Sequence, residues 1–222
     1  MDCTVVCIAR TAGSLGEEVA RLVSERAGFR YIDEEVVLRA AQLGEVDVEL
    51  VEDAEKRKSW IQRLVDGFGG GATGVEAMAI GAGAYVYAHG TNPDRPLSTE
   101  EDVRKHIREA IHDIAETGRV VIVAHAASYA LRSDNKAMRV FITAPRALRI
   151  NRLVTDETDQ KAAERQVRES DDARADYLSR FYSVAHESPE HYDLCINTDR
   201  TTPTQAAELI LDCLKARSSA PA

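Results

Sequence analysis

Apolar positions divide the 222-residue chain into short continuous runs and longer stretches with helical spacing. Cys3-Thr-Val-Val-Cys-Ile-Ala9 is apolar and rich in β-branched residues, the pattern of a strand buried on both faces. Over residues 16–27, Val19, Ala20, Leu22 and Val23 recur at helical spacing, Glu17 and Glu18 occupy the positive amino-terminal end, and Gly28 supplies a left-handed stop. Strand, glycine turn and helix together open a βαβ unit. Residues 29–32 predict a second short strand, Asp33 is placed to cap a helix reaching about residue 43, and a third helix is predicted over 48–65.

Further on, Ser98-Thr-Glu-Glu101 forms a capping box, after which Val103, Ile107, Ala110, Ile111 and Ile114 mark one face of a helix ending before Gly118. Val120-Val-Ile-Val123 and Arg139-Val-Phe-Ile-Thr143 are apolar strands separated by a short helix or loop around 129–132. Pro145 opens a helix carrying Arg146, Arg149 and Arg152, and a second charged helix is predicted over 161–181. A last strand at 192–197, an amphipathic helix at 204–216 and a frayed tail at 218–222 complete the chain. The order of elements predicts an α/β sandwich around a mostly parallel sheet, in one domain over 1–217. In such sheets ligands bind beyond the carboxyl ends of the strands, which directs attention to the residues after Ala9, Val123 and Thr143.

Glycine is unevenly spread: eight of the 13 glycines lie between positions 67 and 90. This marks 46–97 as a variable helical and glycine-rich insertion, with 67–71 a flexible loop and 75–88 a helix whose small residues could face a second copy in a homodimer. With 28 Lys and Arg against 37 Asp and Glu, the net charge of −9 argues against a broad nucleic-acid or anionic-membrane surface. The longest uncharged stretch, 77–89, is shorter than the roughly 20 residues that span a bilayer. The amino terminus has no basic segment ahead of its apolar run, so a cytoplasmic protein is expected. Cys3, Cys7, Cys195 and Cys213 lack paired or metal-like spacing and are expected as small buried hydrophobes. The histidines show no zinc-type spacing, and no bound transition metal is expected. Of the basic residues 22 are Arg, whose planar fork suits bidentate contacts to phosphate or carboxylate.

The first candidate for chemistry is Ala9-Arg-Thr-Ala-Gly-Ser-Leu-Gly-Glu17. Successive backbone amides leading into a helix can converge on a phosphate when the turn is built from glycine and small residues. A standard P-loop ends Gly-Lys-[Ser/Thr], the lysine reaching the outer phosphates and the hydroxyl binding Mg²⁺. Here Gly16 stands at the lysine position and Glu17 at the hydroxyl position.

The chain is similar to the cytidylate kinase-like family, a divergent branch of the P-loop nucleoside monophosphate kinases. That family opens with a strand, Ser-Arg and a Gly-Ser-Gly-Gly-like loop; this chain has Ala9-Arg10 and Gly13-Ser14-Leu15-Gly16. Its Tyr-x-Asp resembles Tyr31-Ile-Asp33, and its Val-Ile-Val-Gly-Arg-Gly strand end resembles Val121-Ile-Val-Ala-His-Ala126, followed by Tyr129 and Leu131-Arg132. The order Arg139-Val-Phe-Ile-Thr-Ala-Pro145, Arg149, Arg152, Val167, Asp171, Arg174 and Tyr192-Asp-Leu-Cys-Ile-Asn-Thr198 also follows the family.

The resemblance implies a P-loop NTPase-like fold with a helical lid over 146–182. It also implies phosphoryl transfer from ATP, with Mg²⁺, to (deoxy)cytidylate or a related small phosphorylated acceptor. Such transfer asks the protein to align phosphates and neutralise charge. Arg10 substitutes for the missing lysine. Arg10, Thr11, Gly13, Ser14, Leu15, Gly16, Glu17, Arg149 and Arg152 would surround the donor, and Arg10, Arg149, Arg168 and Arg174 would supply catalytic charge. Asp33, His125, Tyr129 and Arg132 would meet the acceptor, with His125 standing where the family has Arg. The alternatives are a non-catalytic descendant that binds a nucleotide or a partner, and a kinase for another phosphorylated small molecule.

Overall fold

The β-branched run near the amino terminus forms the middle strand of a parallel sheet. A computed structural model describes residues 3–33, 35–44, 100–123, 126–156 and 158–219. The chain runs through β1 (Val5–Arg10), α1 (Gly16–Ala27), β2 (Arg30–Ile32), α2 (Glu35–Gly44), α3 (Glu100–Glu116), β3 (Val120–Val123) and α4 (Ala127–Ala130). It continues through β4 (Ala137–Thr143), α5 (Arg146–Leu153), α6 (Gln160–Tyr182), a 3₁₀ turn (Pro189–His191), β5 (Leu194–Asn197) and α7 (Pro203–Ser219). The five strands lie in the order β2-β3-β1-β4-β5, with every neighbouring pair parallel.

Alternation along each strand sends side chains to two separate cores. Val5, Cys7 and Ala9 of β1, with Val120 and Ile122 of β3, pack beneath α2, α3, α4 and the carboxyl-terminal turns of α6. Val6, Ile8, Val121, Val123, Val140, Ile142 and Ile196 pack beneath α1 and α7. Burial of both faces explains why these strands read as unbroken apolar runs in the sequence. Ile150, Ala163 and Val167 form a third, small cluster between α5 and the first turns of α6, so this arm has little core of its own.

The register sets the site. Val5–Ile8 pair with Val120–Val123, and Val5–Arg10 pair with Ala137–Ile142. The Thr11 amide then donates to the Ile142 carbonyl at 3.1 Å, and the Thr198 amide to the Thr143 carbonyl at 2.9 Å. The carboxyl ends of β1, β4 and β5 are thereby laid side by side.

Most elements fall where the hydrophobic pattern predicts them, with three differences. The short helix after β3 is Ala127–Ala130, earlier than 129–132. Ser218 and Ser219, expected in the tail, belong to α7. Cys195 is exposed and Cys213 half-buried, while Cys3 and Cys7 are buried as expected; β5 is an edge strand that is only partly covered, which leaves Cys195 open. The insertion at 46–97 with its 48–65 and 75–88 helices and the dimer face placed there, the 67–71 loop, Ser98 and Thr99 of the capping box, and His125 lie outside the described residues. Among the described residues no helix is long and apolar enough to cross a membrane.

The packing predicts a graded response to truncation. Ile122→Ala, at a fully buried site, is expected to lower unfolding free energy by about 2–5 kcal/mol in urea denaturation. Leu38→Ala, at a half-exposed site, is expected to stay within about 0.5 kcal/mol.

Candidate functional site: the turn after the first strand

Between β1 and α1 the chain reverses direction in five residues, and two of them take left-handed conformations: Gly13 at φ 75° and Leu15 at φ 62°. Gly13 is required twice over, since a Cβ there would also lie 2.5 Å from the Arg149 carbonyl oxygen. Gly16 is required by contact alone, because a Cβ would lie 2.6 Å from the Arg10 Cβ.

Every carbonyl of the turn is tied back. Thr11 O accepts from the Ser14 amide at 3.1 Å, and Leu15 O accepts from the Val19 amide at 3.1 Å. Ala12 O accepts from Arg149 Nη1 at 3.3 Å, Gly13 O from Arg152 Nη1 at 3.3 Å, and Ser14 O from Thr198 Oγ1 at 2.9 Å. The amides of Gly13, Leu15 and Gly16 meet no acceptor among the described residues. With acceptors engaged and donors left over at the start of α1, the turn offers backbone donors that an anion could use.

Two buried polar atoms at the turn are also without a partner among the described residues: Ser14 Oγ, on a side chain 1% exposed, and Arg10 Nε. Unsatisfied buried donors are costly, so these atoms and the glycine cradle fit a polyphosphate such as that of ATP. Arg10 Nη2 forms an ion pair with the Glu17 carboxylate, its side chain crossing over Gly16. Thr11 Oγ1 is held by Thr143 Oγ1 at 3.1 Å. Among the described residues no group of three or more His, Cys, Asp or Glu could hold a metal ion. Glu17 lies in the first turn of α1, and one or two carboxylates together with phosphate oxygens are a ligand set that suits Mg²⁺.

The structure places the proposed arginines in different settings. Arg149 is buried and donates from Nε to Ala144 O at 3.1 Å, with Nη1 and Nη2 reaching the Asp171 carboxylate at 2.9 and 2.7 Å. Arg152 Nη1 contacts Thr198 Oγ1 at 3.0 Å and Nη2 contacts Thr198 O at 2.7 Å. Both guanidiniums thus reach the turn from its carbonyl side. Arg174 is turned away into a buried cluster, donating from Nε to Glu187 at 2.8 Å and from Nη2 to Tyr192 OH at 3.1 Å. Arg168 is exposed on α6 and has no partner among the described residues.

Of the acceptor candidates, Asp33 follows β2 at the carboxyl edge of the sheet, and its carbonyl accepts from the Val36 amide at 3.2 Å at the start of α2. Tyr129 is buried, its hydroxyl 3.1 Å from His191 Nδ1. Tyr129 and the exposed Arg132 line a cleft of about 470 Å³ with Lys105, Arg108, His112 and Phe181. No residue of the 10–17 turn lines that cleft.

In the buried cluster, desolvation alone would raise the Glu187 carboxyl, but hydrogen bonds and charge from Arg174 hold it below the ordinary carboxylate range. Burial and the neighbouring Glu187 push the Tyr192 phenol up.

Sequence reasoning assigned no role to Thr198, which anchors both Arg152 and the turn. Its signals were its place at the end of the family-like 192–198 segment and its position directly after a strand whose carboxyl end shares the sheet edge with β1.

A model of the cytidylate kinase-like family matches residues 5–200. No curated protein matches the chain. Among solved structures, an uncharacterized protein from Eubacterium ventriosum superimposes with TM-score 0.61 at 16% identity, covering 96% of this chain and 99% of that one. A Thermus thermophilus protein gives TM-score 0.52 at 13% identity, covering 99% and 100%. The shikimate kinase of Acinetobacter baumannii, solved with shikimate, gives 0.50 at 11% identity, covering 98% and 96%. These likenesses show that the chain shares its α/β fold with shikimate kinase.

Two stability effects are expected. Asp171→Ala strands the buried Arg149 charge and should cost about 3–5 kcal/mol in chemical denaturation. The Glu187 carboxyl is lowered on folding, so its contribution is complete above the unfolded value of about 4.3 and is lost as pH falls below that value toward the folded one. Glu187→Gln should flatten the acid limb of the stability profile in denaturation curves recorded between pH 3 and 7, about the range of carboxylate titration.

Proposed function

This chain belongs to the cytidylate kinase-like family, and on that premise we propose that it is a cytoplasmic phosphotransferase moving a phosphoryl group from ATP to a nucleoside monophosphate, cytidylate first among them. The observation that carries the reading is the turn at 11–16: its carbonyls are drawn back by Arg149, Arg152, Thr198 and the turn itself, and its free amides face the start of α1. Backbone dipoles fixed before the ligand arrives are the economical way to stabilise phosphate charge. Arg10, at the mouth of the turn, supplies the mobile cation. Asp33, which follows β2 at the carboxyl edge of the sheet, is the acceptor-side group in this reading. Arg168, exposed and unengaged among the described residues, joins the exposed Arg146 and Arg165 on the arm formed by α5 and the first half of α6, and the weak core of that arm suits it to close over a donor. Mg²⁺, when bound, would neutralise phosphate charge beside Glu17.

A second reading is favoured by one observation: Arg149, Arg152 and Arg174 are all engaged inside the fold. A protein whose arginines at these three positions are held in this way could bind a nucleotide without transferring phosphate.

Calorimetry with Mg·ATP, run beside ADP release against a panel of nucleoside monophosphates and shikimate, separates the two. Acceptor-dependent ADP release is expected, strongest with a cytidine nucleotide, and Arg10→Ala should reduce it by about tenfold or more. Tight ATP binding without ADP release for any acceptor would instead establish the non-catalytic reading.

A further inference from the structure

One ion pair at the turn joins the residue that precedes it to a residue just after it. Arg10 ends β1 and Glu17 lies in the first turn of α1, and between them the Arg10 side chain passes over Gly16, close enough that any Cβ there would collide with its Cβ. Unlike Asp171 beneath Arg149, Glu17 is more than half exposed, and Arg10 is about one quarter exposed. The pair therefore gains little from desolvation and opens at small cost. Arg10 Nε, by contrast, is buried and has no partner among the described residues, so in this arrangement the guanidinium uses only part of its donor fork.

A polyphosphate seated on the free amides would change the preference of both partners. Arg10 would find a phosphate group of higher charge, with several acceptor oxygens, in place of a single carboxylate, and more of its donors could be used. Glu17 would be left as an anion beside anions, a repulsive arrangement unless a cation lies between them. Mg²⁺ is bound by one or two carboxylates plus phosphate oxygens rather than by an all-protein cage, and the described residues offer no such cage. We propose that Arg10 and Glu17 form a charge latch over the phosphate turn: on arrival of the polyphosphate Arg10 transfers to it, and the released Glu17 becomes the protein's ligand for the divalent cation. This deepens the kinase reading and rests on it. It assigns to a carboxylate the position where P-loops carry a hydroxyl.

The latch predicts a specific failure in Glu17→Gln, which keeps the size of the side chain at an exposed site and whose folding is checked by its melting curve. In wild-type protein, Mg²⁺ is expected to raise ATP affinity about tenfold over EDTA, because the free carboxylate repels the nucleotide without metal and binds it with metal. In Glu17→Gln the ratio should fall to about twofold or less, chiefly through tighter metal-free binding. Mn²⁺ added with ATP should give a protein-dependent paramagnetic relaxation signal in the wild type that is lost in the variant. An unchanged Mg²⁺ ratio together with an unchanged Mn²⁺ signal in Glu17→Gln overturns the latch while leaving the kinase reading intact. Absence of ATP binding by folded wild-type protein, with or without Mg²⁺, overturns both.

Discussion

The Arg149 guanidinium is buried where three segments meet, bonded to Ala144 at the end of β4, to Ala12 in the phosphate turn and to Asp171 in α6. Burying a charge of this kind costs several kcal/mol and is offset only when each donor finds a well-placed acceptor. Its planar fork meets this condition because it can address a carboxylate with two nitrogens and a carbonyl with a third. A lysine, with one nitrogen, could not span the same acceptors. Since the Arg149 backbone also lies against Gly13, turn, α5 and α6 adopt their positions together, and the direction of the Ala12 carbonyl, hence of the amides that follow, is set by a residue far along the chain.

Arginine–carboxylate pairing recurs at three depths, and depth decides what each pair can do. Arg149–Asp171 and Arg174–Glu187 are shielded and hold elements together. Arg10–Glu17 is open to water, so its partners can be exchanged. The same side chain thus serves as a structural tie in two places and as a movable charge in the third, the difference being solvent access rather than residue type.

Helix α6 connects these settings. Its first turns share the small cluster of Ile150, Ala163 and Val167, its middle carries Asp171 and Arg174, and its end places Tyr177, Leu178 and Phe181 in the larger core. With so little apolar contact at its start, the outer arm depends on polar contacts near the turn for its position. A ligand that competes for those contacts would act on the arm directly.

Local order was legible in the sequence because it follows from neighbours: β-branched runs gave the strands, 3.6-residue periodicity gave α1 and α3, and Gly28 and Gly118 marked helix ends at positive φ. The turn at 11–16 was recognisable from its glycines and its place between strand and helix. The pattern of arginines, however, could not say which of them face a ligand. Arg149 finds Asp171 one helix further on, Arg174 finds Glu187 beyond the end of α6, and Ser14 finds Thr198 from the far end of the sheet. Those partners are chosen by strand register and helix packing, which bring distant positions to one edge. Sequence alone therefore determined the α/β fold and the location of the glycine turn between β1 and α1. Only the tertiary structure decided which charges are spent inside the fold and which remain free, because burial and pairing are properties of the packed chain and not of any local segment.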